Sequence, residues 1–414
     1  LPPLTPQALA EIVAALADRG GAALAAVGEA ALLAAWSDTV LAFRDPASPE
    51  RRSLDPDLAR LCRLSPAGLA AGLEAVLGGV RGGPAAALFE RARSIRSAGD
   101  RAPGAGPVLA VLAANLPGLA VQPLLPALAL NRPVFLKSPS AEPLFAPAFL
   151  AALVRREPRL GAALAAATWP GGDPALEAPV LAGVGTILAY GGEEALDDLE
   201  RRAPGKLVRY GPKTSLAVLA ADATGADLEA IARGLARDVA LFDQRGCLSI
   251  AAIYMEGTPE GAEELAVRLA AALSELAQVW PPGPSEPGEA AAVQQLRLTA
   301  EMRGLFQPRL PLAAGTVIVD PEPAFQPSPG LRTVRIHPLA DLGGLPGLLA
   351  PWRGRLQGAA LAGQGAWRIA AGITGLAGLG VSRTAAPGEL QSPDASWHNG
   401  GVDPLAALSA TSIC

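Results

Sequence analysis

The stretch 107-PVLAVLAANLPGLAVQPLLPALALNRPVFLK-137 decides the fold. It opens on a short apolar run, 107-PVLAVLA-113, and turns at Asn115 and Pro117. An apolar run of helical length follows, 121-VQPLLPALAL-130, and then a second β-like run, 133-PVFLK-137. Strand, helix and strand in this order make a βαβ unit, whose strands run parallel. The same stretch is the longest apolar one in the chain and invites a transmembrane reading. Pro117, Pro123 and Pro126 interrupt it and Asn115 lies inside it. A buried strand, a loop and a buried helix are therefore expected, with no integral membrane segment.

Working outward, the alternation continues. Strands are expected at 186-TILAY-190 and 206-KLVRY-210, with helices around 143–156 and 192–202. A second series begins after 214: 215-SLAVLA-220, a helix over 225–242, 248-LSIAAIYM-255, helices over 259–277 and 289–305, then 315-GTVIVD-320 and 332-RTVRIHP-338. The Pro-rich 280-WPPGPSEPG-288 reads as a surface loop, and the tail from 376 as irregular. Residues 1–100 read as helices, the first of them starting after Thr5 with Pro6 at its first position and stopping at Gly20. The Gly- and Arg-containing 98-AGDRAPGAG-106 is the expected connector. The fold class is α/β: two doubly wound lobes with a cleft between them, where ligands sit beyond the carboxyl ends of the strands. The domain limits follow the same grammar, at 1–214, 215–385 and 386–414.

Composition excludes several classes. At 414 residues, two domains are expected, and a half-hydrophobic chain with 18% charged residues has a globular balance. A net charge of −5 leaves no basic footprint for nucleic acid. Three cysteines, at 62, 247 and 414, form neither a disulfide framework nor a zinc pattern, so no metal is expected and a reducing cytoplasm is. No basic segment leads into an apolar core at the N-terminus, so no secretory signal is expected. The sequence opens on Leu1 and not Met, and a longer natural chain is compatible with that.

Within 239-VALFDQRGCLSIAAIY-254, Cys247 stands between a polar approach and an apolar run. A thiol at such a boundary has backbone N–H groups nearby, which lower its pKa and can donate to an oxyanion. The plainer reading is a small buried hydrophobe, and local sequence leaves both open. Cys62 follows a helical pattern and reads as core, and Cys414 is the last residue. Of the two histidines, His337 reads as structural, whereas His398 lies in a Gly-rich loop and can face a cleft.

Three further segments bear on the choice: the Asn115-x-Pro117 turn with Lys137 and 138-SPS-140, the turn in 186-TILAYGGEEALDDL-199, and 206-KLVRYGPKTSLAVLA-220. With 243-DQRGCLS-249 and the tail 380-GVSRTAAPGELQSPDASWHNGGVDPLAALS-409, they resemble the acyl-CoA reductase (LuxC-type) branch of the aldehyde dehydrogenase superfamily. The resemblance covers roughly 105–255 and 380–409.

It implies reduction of an acyl-CoA, or another acyl thioester, to the aldehyde with NADPH or NADH, by an enzyme that forms homo-oligomers. Cys247 would be the nucleophile and Asn115 the amide that completes its oxyanion hole, with His398 a further catalytic residue. Lys137, Ser140, Glu142, Gly191 and Gly192 would bind the cofactor in the 1–214 lobe, and 215–385 would carry the nucleophile. The 386–414 segment would pack back near the cleft or an oligomer interface. Glu193 and Glu194 are awkward beside a phosphate, though they also suit the first turn of a helix. At 210–213 the superfamily's general-base glutamate is replaced by Tyr-Gly-Pro-Lys, which suits a reductase, since hydrolysis needs an activated water and hydride delivery does not. Asn399 stands where the branch has Asp. A cysteine acyltransferase or thioesterase without redox chemistry, and a non-catalytic dehydrogenase-like scaffold, are the competing readings.

Overall fold

The computed structural model describes residues 4–97, 106–223, 227–371 and 374–409. Cys414 and most of the connector 98–106 lie outside them, as does the start of the helix expected at 225–242. Contacts divide the chain into two compact units: one of Leu1–Cys62, Leu73–Pro212 and Asp394–Cys414, the other of Arg63–Gly72 and Lys213–Pro393. The units are therefore not three consecutive blocks. Residues 63–72 and 386–393 belong to the second unit, and the tail from 394 to the first.

The first unit holds a five-stranded sheet of β1 (Val108–Val111), β2 (Val134–Ser138), β3 (Leu164–Thr168), β4 (Thr186–Tyr190) and β5 (Lys206–Tyr210), in the order β3-β2-β1-β4-β5. Every neighbouring pair is parallel. The chain builds outward from β1 to β3, then returns to lay β4 on β1's other side. The strand order thus reverses at β1/β4, the kind of crevice where open α/β sheets bind ligands. The helix Val121–Ala129 is the crossover expected from the opening stretch, and all nine residues but Gln122 are buried. The N-terminal helix Pro6–Ala15 is capped by Thr5, whose hydroxyl accepts the Ala8 N–H at 3.1 Å. It sets Leu9 and Val13 against Leu109, Phe135 and Ile187 of the sheet, and each fully buried leucine contributes about 2 kcal/mol.

The second unit holds six parallel strands: β6 (Thr214–Leu219), β7 (Ile250–Glu256), β8 (Thr316–Val319), β9 (Thr333–Leu339), β10 (Leu356–Ala362) and β11 (Arg383–Ala385), in the order β11-β10-β6-β7-β9-β8. One face is covered by Leu342, Leu345, Leu349 and Leu376, packed with Leu216, Tyr254 and Leu361. The parallel α/β expectation holds. Three strands escape the sequence reading: β3, β10 and β11. β3 is LAAAT and β10 is LQGAALA. Alanine and glycine carry little strand preference; burial between β6 and β11 decides β10, and pairing with β2 along the sheet edge decides β3.

No single described helix is long and apolar enough to cross a membrane. The pair Pro6–Val27 and Glu29–Arg44 passes together on length and composition, but is bent by 93°.

Candidate active site

Cys247 sits in a tight turn that the residues around it hold at almost every position. The helix Leu228–Ala240 ends, and Phe242, Asp243 and Gln244 follow with φ of +58°, +49° and +66°. Three left-handed residues in succession, none of them glycine, cost about 1–2 kcal/mol each and persist only where their surroundings impose them. Gly246–Ser249 then closes a turn, with Ser249 N–H donating to the Gly246 carbonyl at 3.0 Å. β7 begins only at Ile250, so Cys247 precedes the strand by three residues. The Ser215 hydroxyl, at the start of β6, donates to the Cys247 carbonyl at 2.8 Å. Ser249 Oγ accepts the Gly246 N–H at 3.2 Å and bonds Gln391 Oε1 at 3.2 Å, and Gln391 Nε2 donates to the Asp238 carbonyl at 2.6 Å. Gly358 of β10 makes room beneath: a Cβ there would stand 2.9 Å from Leu248 and 3.0 Å from the Ser215 hydroxyl.

The thiol is half-buried, while Cys62 is buried at a helix end, as a core cysteine should be. Burial pushes the Cys247 pKa up to about 11, and the positive charge of Lys213 works against that rise. At neutral pH the resting group is therefore the thiol, and its proton must be lost as it attacks. Lys213 occupies the stretch where the superfamily's base glutamate was expected, and its ammonium donates to the Gly354 carbonyl at 2.8 Å. The site thus offers a cation where a hydrolytic enzyme would offer a carboxylate.

The other expected site residues all belong to the first unit. Asn115 is exposed in the bend after β1, at the carboxyl end of the sheet. Gly118, with φ of +85°, closes that bend where a Cβ would press on Val76 and Leu73 at 3.2 and 3.3 Å. Parallel registers align Lys137 with Val111 and Ala167, and Val111 with Ala189, so the strand ends form one row. Lys137 is buried, with its ammonium 5.1 Å from the Trp169 ring centre. Burial lowers its pKa, and the Glu177 charge opposes that. The exposed Ser140 donates to the Trp169 carbonyl at 3.5 Å. Trp169 therefore joins two of the expected cofactor residues. The sequence reading passed over it, although a lone tryptophan before 170-PGG-172 marks a strand end.

Glu142 is buried, and its Oε1 accepts the N–H groups of Leu144 and Phe145, both at 2.8 Å. That oxygen is committed to the start of the helix Phe145–Arg156. Gly191 and Gly192 lie between β4 and the helix Glu193–Arg202. Glu193, awkward beside a phosphate, is paired with Arg209 at 2.9 Å, and Arg209 also bonds Asp197 and Glu200. The residues present fit a dinucleotide. Strand order reverses beside Asn115 and Gly191, and the buried Ser138 hydroxyl at the end of β2 has no protein partner.

The tail packs onto this same unit. Lys206 donates to the Ser409 carbonyl and Arg132 to that of Leu408, at 2.9 and 2.6 Å, satisfying the end of the helix Pro404–Leu408. Asn399 Nδ2 donates to Gln122 Oε1 at 3.3 Å, in the helix that follows the Asn115 bend. His398 Nε2 lies 3.2 Å from Asp403 Oδ2, so a carboxylate stands beside the imidazole. Burial would raise the Asp403 carboxyl, but the N–H groups of Ala406 and Leu405 and the Arg91 guanidinium hold it below its ordinary value. The His398 side chain is 51% exposed. His337 is structural: fully buried, stacked on Tyr254 at 5.1 Å, with Nδ1 3.0 Å from the Asp320 carbonyl, and kept neutral by burial. No group of residues suited to a metal occurs among the described residues.

Among solved structures, lactaldehyde dehydrogenase from Escherichia coli superposes with a TM-score of 0.65 at 13% identity, over 93% of this chain and 84% of that one. An NADP-dependent glyceraldehyde-3-phosphate dehydrogenase from Bacillus halodurans, solved with NADP, gives 0.63 at 17% identity, over 94% and 84%. The fold is that of the aldehyde dehydrogenases. In sequence, the long-chain acyl-protein thioester reductase of Aliivibrio fischeri is 26% identical over 239 residues, 56% of this chain and 48% of that protein. The chain spans about half the length of the relatives it matches. The family model described as acyl-CoA reductase (LuxC) matches residues 87–411, and the chain belongs to that family.

Proposed function

We propose that this chain reduces an acyl thioester to the aldehyde through an acyl-enzyme on Cys247. The observation that carries the reading is the nucleophile turn: a half-buried cysteine in the turn that follows three left-handed residues, with the Lys213 charge bearing on it. Membership of the LuxC family and the thioester reductase names of its relatives support it.

In this reading Cys247 Sγ loses its proton and attacks the thioester carbonyl. The carbon–sulfur bond to the donor breaks, and the donor thiol leaves with that proton. The Cys247 N–H would donate to the oxyanion, and the family resemblance assigns the Asn115 amide to the same task, at about 3 kcal/mol per donor. A reduced nicotinamide cofactor, NADPH or NADH, supplies the hydride when bound. Lys137, Ser140, Gly191 and Gly192 are the residues that would hold it, with Glu142 stiffening the loop beside them. Cys247 then departs as the carbonyl of the aldehyde re-forms, and His398, held by Asp403, is the group that would balance the proton. The acyl donor is a CoA thioester or a protein-bound acyl group, the kind named for the relatives. A cytoplasmic homo-oligomer belongs to the same reading.

The test is oxidation of NADPH or NADH by the purified chain with a long-chain acyl-CoA, followed at 340 nm, alongside Cys247→Ala (cofactor absorbance, a general property of nicotinamides). The expected result is aldehyde formation that Cys247→Ala loses while still binding cofactor. Thiol release indifferent to the cofactor would make the chain a transferase or thioesterase. Undiminished reduction by Cys247→Ala would remove the acyl-enzyme.

A further inference from the structure

We infer that the Asp243–Arg332 ion pair and the Gln244 side-chain amide hold the Cys247 turn in its working geometry, making Asp243, Gln244 and Arg332 positioning residues. The inference rests on the reading of Cys247 as nucleophile and adds to it the residues that set its presentation. Two strained runs are joined here. Residues 242–244 are left-handed, and so are Leu331 and Arg332, at φ +52° and +57°, just before β9. The first run contains no glycine, and the second has one only at its start, Gly330 at φ +85°, so Leu331 and Arg332, like residues 242–244, depend on side-chain ties.

The ties are specific. Arg332 Nε donates to Asp243 Oδ1 at 2.9 Å, and its Nη2 lies 2.7 Å from the same oxygen and donates to the Trp280 carbonyl at 2.9 Å. Asp243 Oδ2 accepts the Gly283 N–H at 2.8 Å and has Arg245 Nη1 3.8 Å away. The loop expected at the surface from its composition is thereby tied to Asp243 and Arg332. Arg332 and Asp243 are both buried, at 2% and 3% exposure. Gln244 spans the two strands on either side. Its Nε2 donates to the carbonyls of Ile250 and Thr333, both at 2.7 Å, and its Oε1 accepts the Thr333 N–H at 2.7 Å. One amide thus serves both backbone groups of the first residue of β9 and the first carbonyl of β7, as a further strand residue would.

Stability alone is a poor explanation for this arrangement. A buried ion pair is commonly matched or bettered by apolar residues of similar volume, whereas its directed bonds fix geometry. What they fix is the stretch that leads into Arg245, Gly246 and Cys247.

The test uses the full chain with Cys62→Ser and Cys414→Ser, so that iodoacetamide reports on Cys247 alone. Into it go Gln244→Met, Gln244→Glu and Arg332→Lys, each assayed well below its melting temperature. In Gln244→Met and Arg332→Lys, kcat with acyl-CoA should fall about ten-fold or more while KM stays within about three-fold. Alkylation of Cys247 should speed up at least about five-fold in a single phase, because a released turn uncovers the thiol across the whole population. Gln244→Glu keeps an acceptor for the Thr333 N–H but sets a carboxylate oxygen against the Ile250 and Thr333 carbonyls, and should lose kcat at least as far as Gln244→Met. Folded Gln244→Met and Arg332→Lys proteins that match the parent in both kcat and alkylation rate overturn the inference. So does a two-phase alkylation in which only an unfolded fraction reacts faster. If Cys247→Ala retains turnover, the nucleophile reading fails by itself, and the alkylation rates still decide whether these residues hold the turn.

Discussion

The two sheets are both wholly parallel, yet they present their candidate chemistry at opposite ends. In the first unit, Asn115, Lys137, Gly191 and Gly192 stand at or just beyond the carboxyl ends of β1, β2 and β4. That is where an open parallel sheet offers a crevice without special effort, since loops and helix N-termini gather there. In the second unit, Cys247 stands before the amino end of β7. The residues that hold it, Ser215, Arg332 and Thr333, lie at the amino ends of β6 and β9. No crevice arises there by topology. The presentation is instead made by five left-handed residues, a buried ion pair and side-chain amides. One end of a sheet gives a site almost for nothing; the other requires strain to be held in place.

This comparison can be broken or sharpened by substitution. The largest effect is expected at the oxyanion. Asn115→Ala should lower kcat for acyl thioester reduction about 100-fold with cofactor affinity unchanged, the usual loss for one oxyanion donor. A change below about three-fold would leave Asn115 as a turn residue only. Next comes Lys137→Met, which should weaken NADPH binding about ten-fold, read by fluorescence titration, and leave Cys247 alkylation untouched. If alkylation changed instead, the division of labour between the two units would be wrong.

A third test concerns the support of the nucleophile turn. Burial pushes Asp238 up to about 7 from an ordinary 3.8, against the opposing N–H groups of Gly388, Gln391 and Leu390. A carboxyl raised on folding binds its proton more tightly in the folded state. Its contribution is fully present below the unfolded value and is lost as pH rises through 7. Asp238→Asn should therefore raise Tm by about 2–4 °C at pH 8 and by nothing at pH 3. An equal gain at both would show that its charge is not the cause.

The smallest effect is expected at Lys213. With its cation removed in Lys213→Met, the Cys247 pKa should rise further above 11, slowing alkylation at pH 8 about three-fold. An unchanged rate would separate Lys213 from the thiol.

Much of the fold was legible because it is written in local pattern. The runs around 107–137 carry their own periodicity and turn residues, and the strands at 186–190 and 206–210 fall where expected. The alanine strands β3 and β10 were not legible, because pairing with β2 makes the one a strand and burial within the second sheet the other, and neither is written in composition. For the same reason Trp169 went unnoticed: its relation to Lys137 exists only once β2 and β3 pair.

The candidate site divides along the same line. Sequence alone determined which residue types are available, a single well-placed cysteine, an Asn-x-Pro bend and no acid at 210–213, since these are covalent facts about the chain. It also determined the parallel α/β class, because apolar period and turn chemistry act over short distances. Only the tertiary structure decided that β7 begins at Ile250, that Asp403 comes to lie beside His398, and that Asp243, 89 residues before Arg332 along the chain, meets it in a buried pair. Such pairings depend on where distant segments come to rest, and burial then multiplies the strength of the few bonds that hold them.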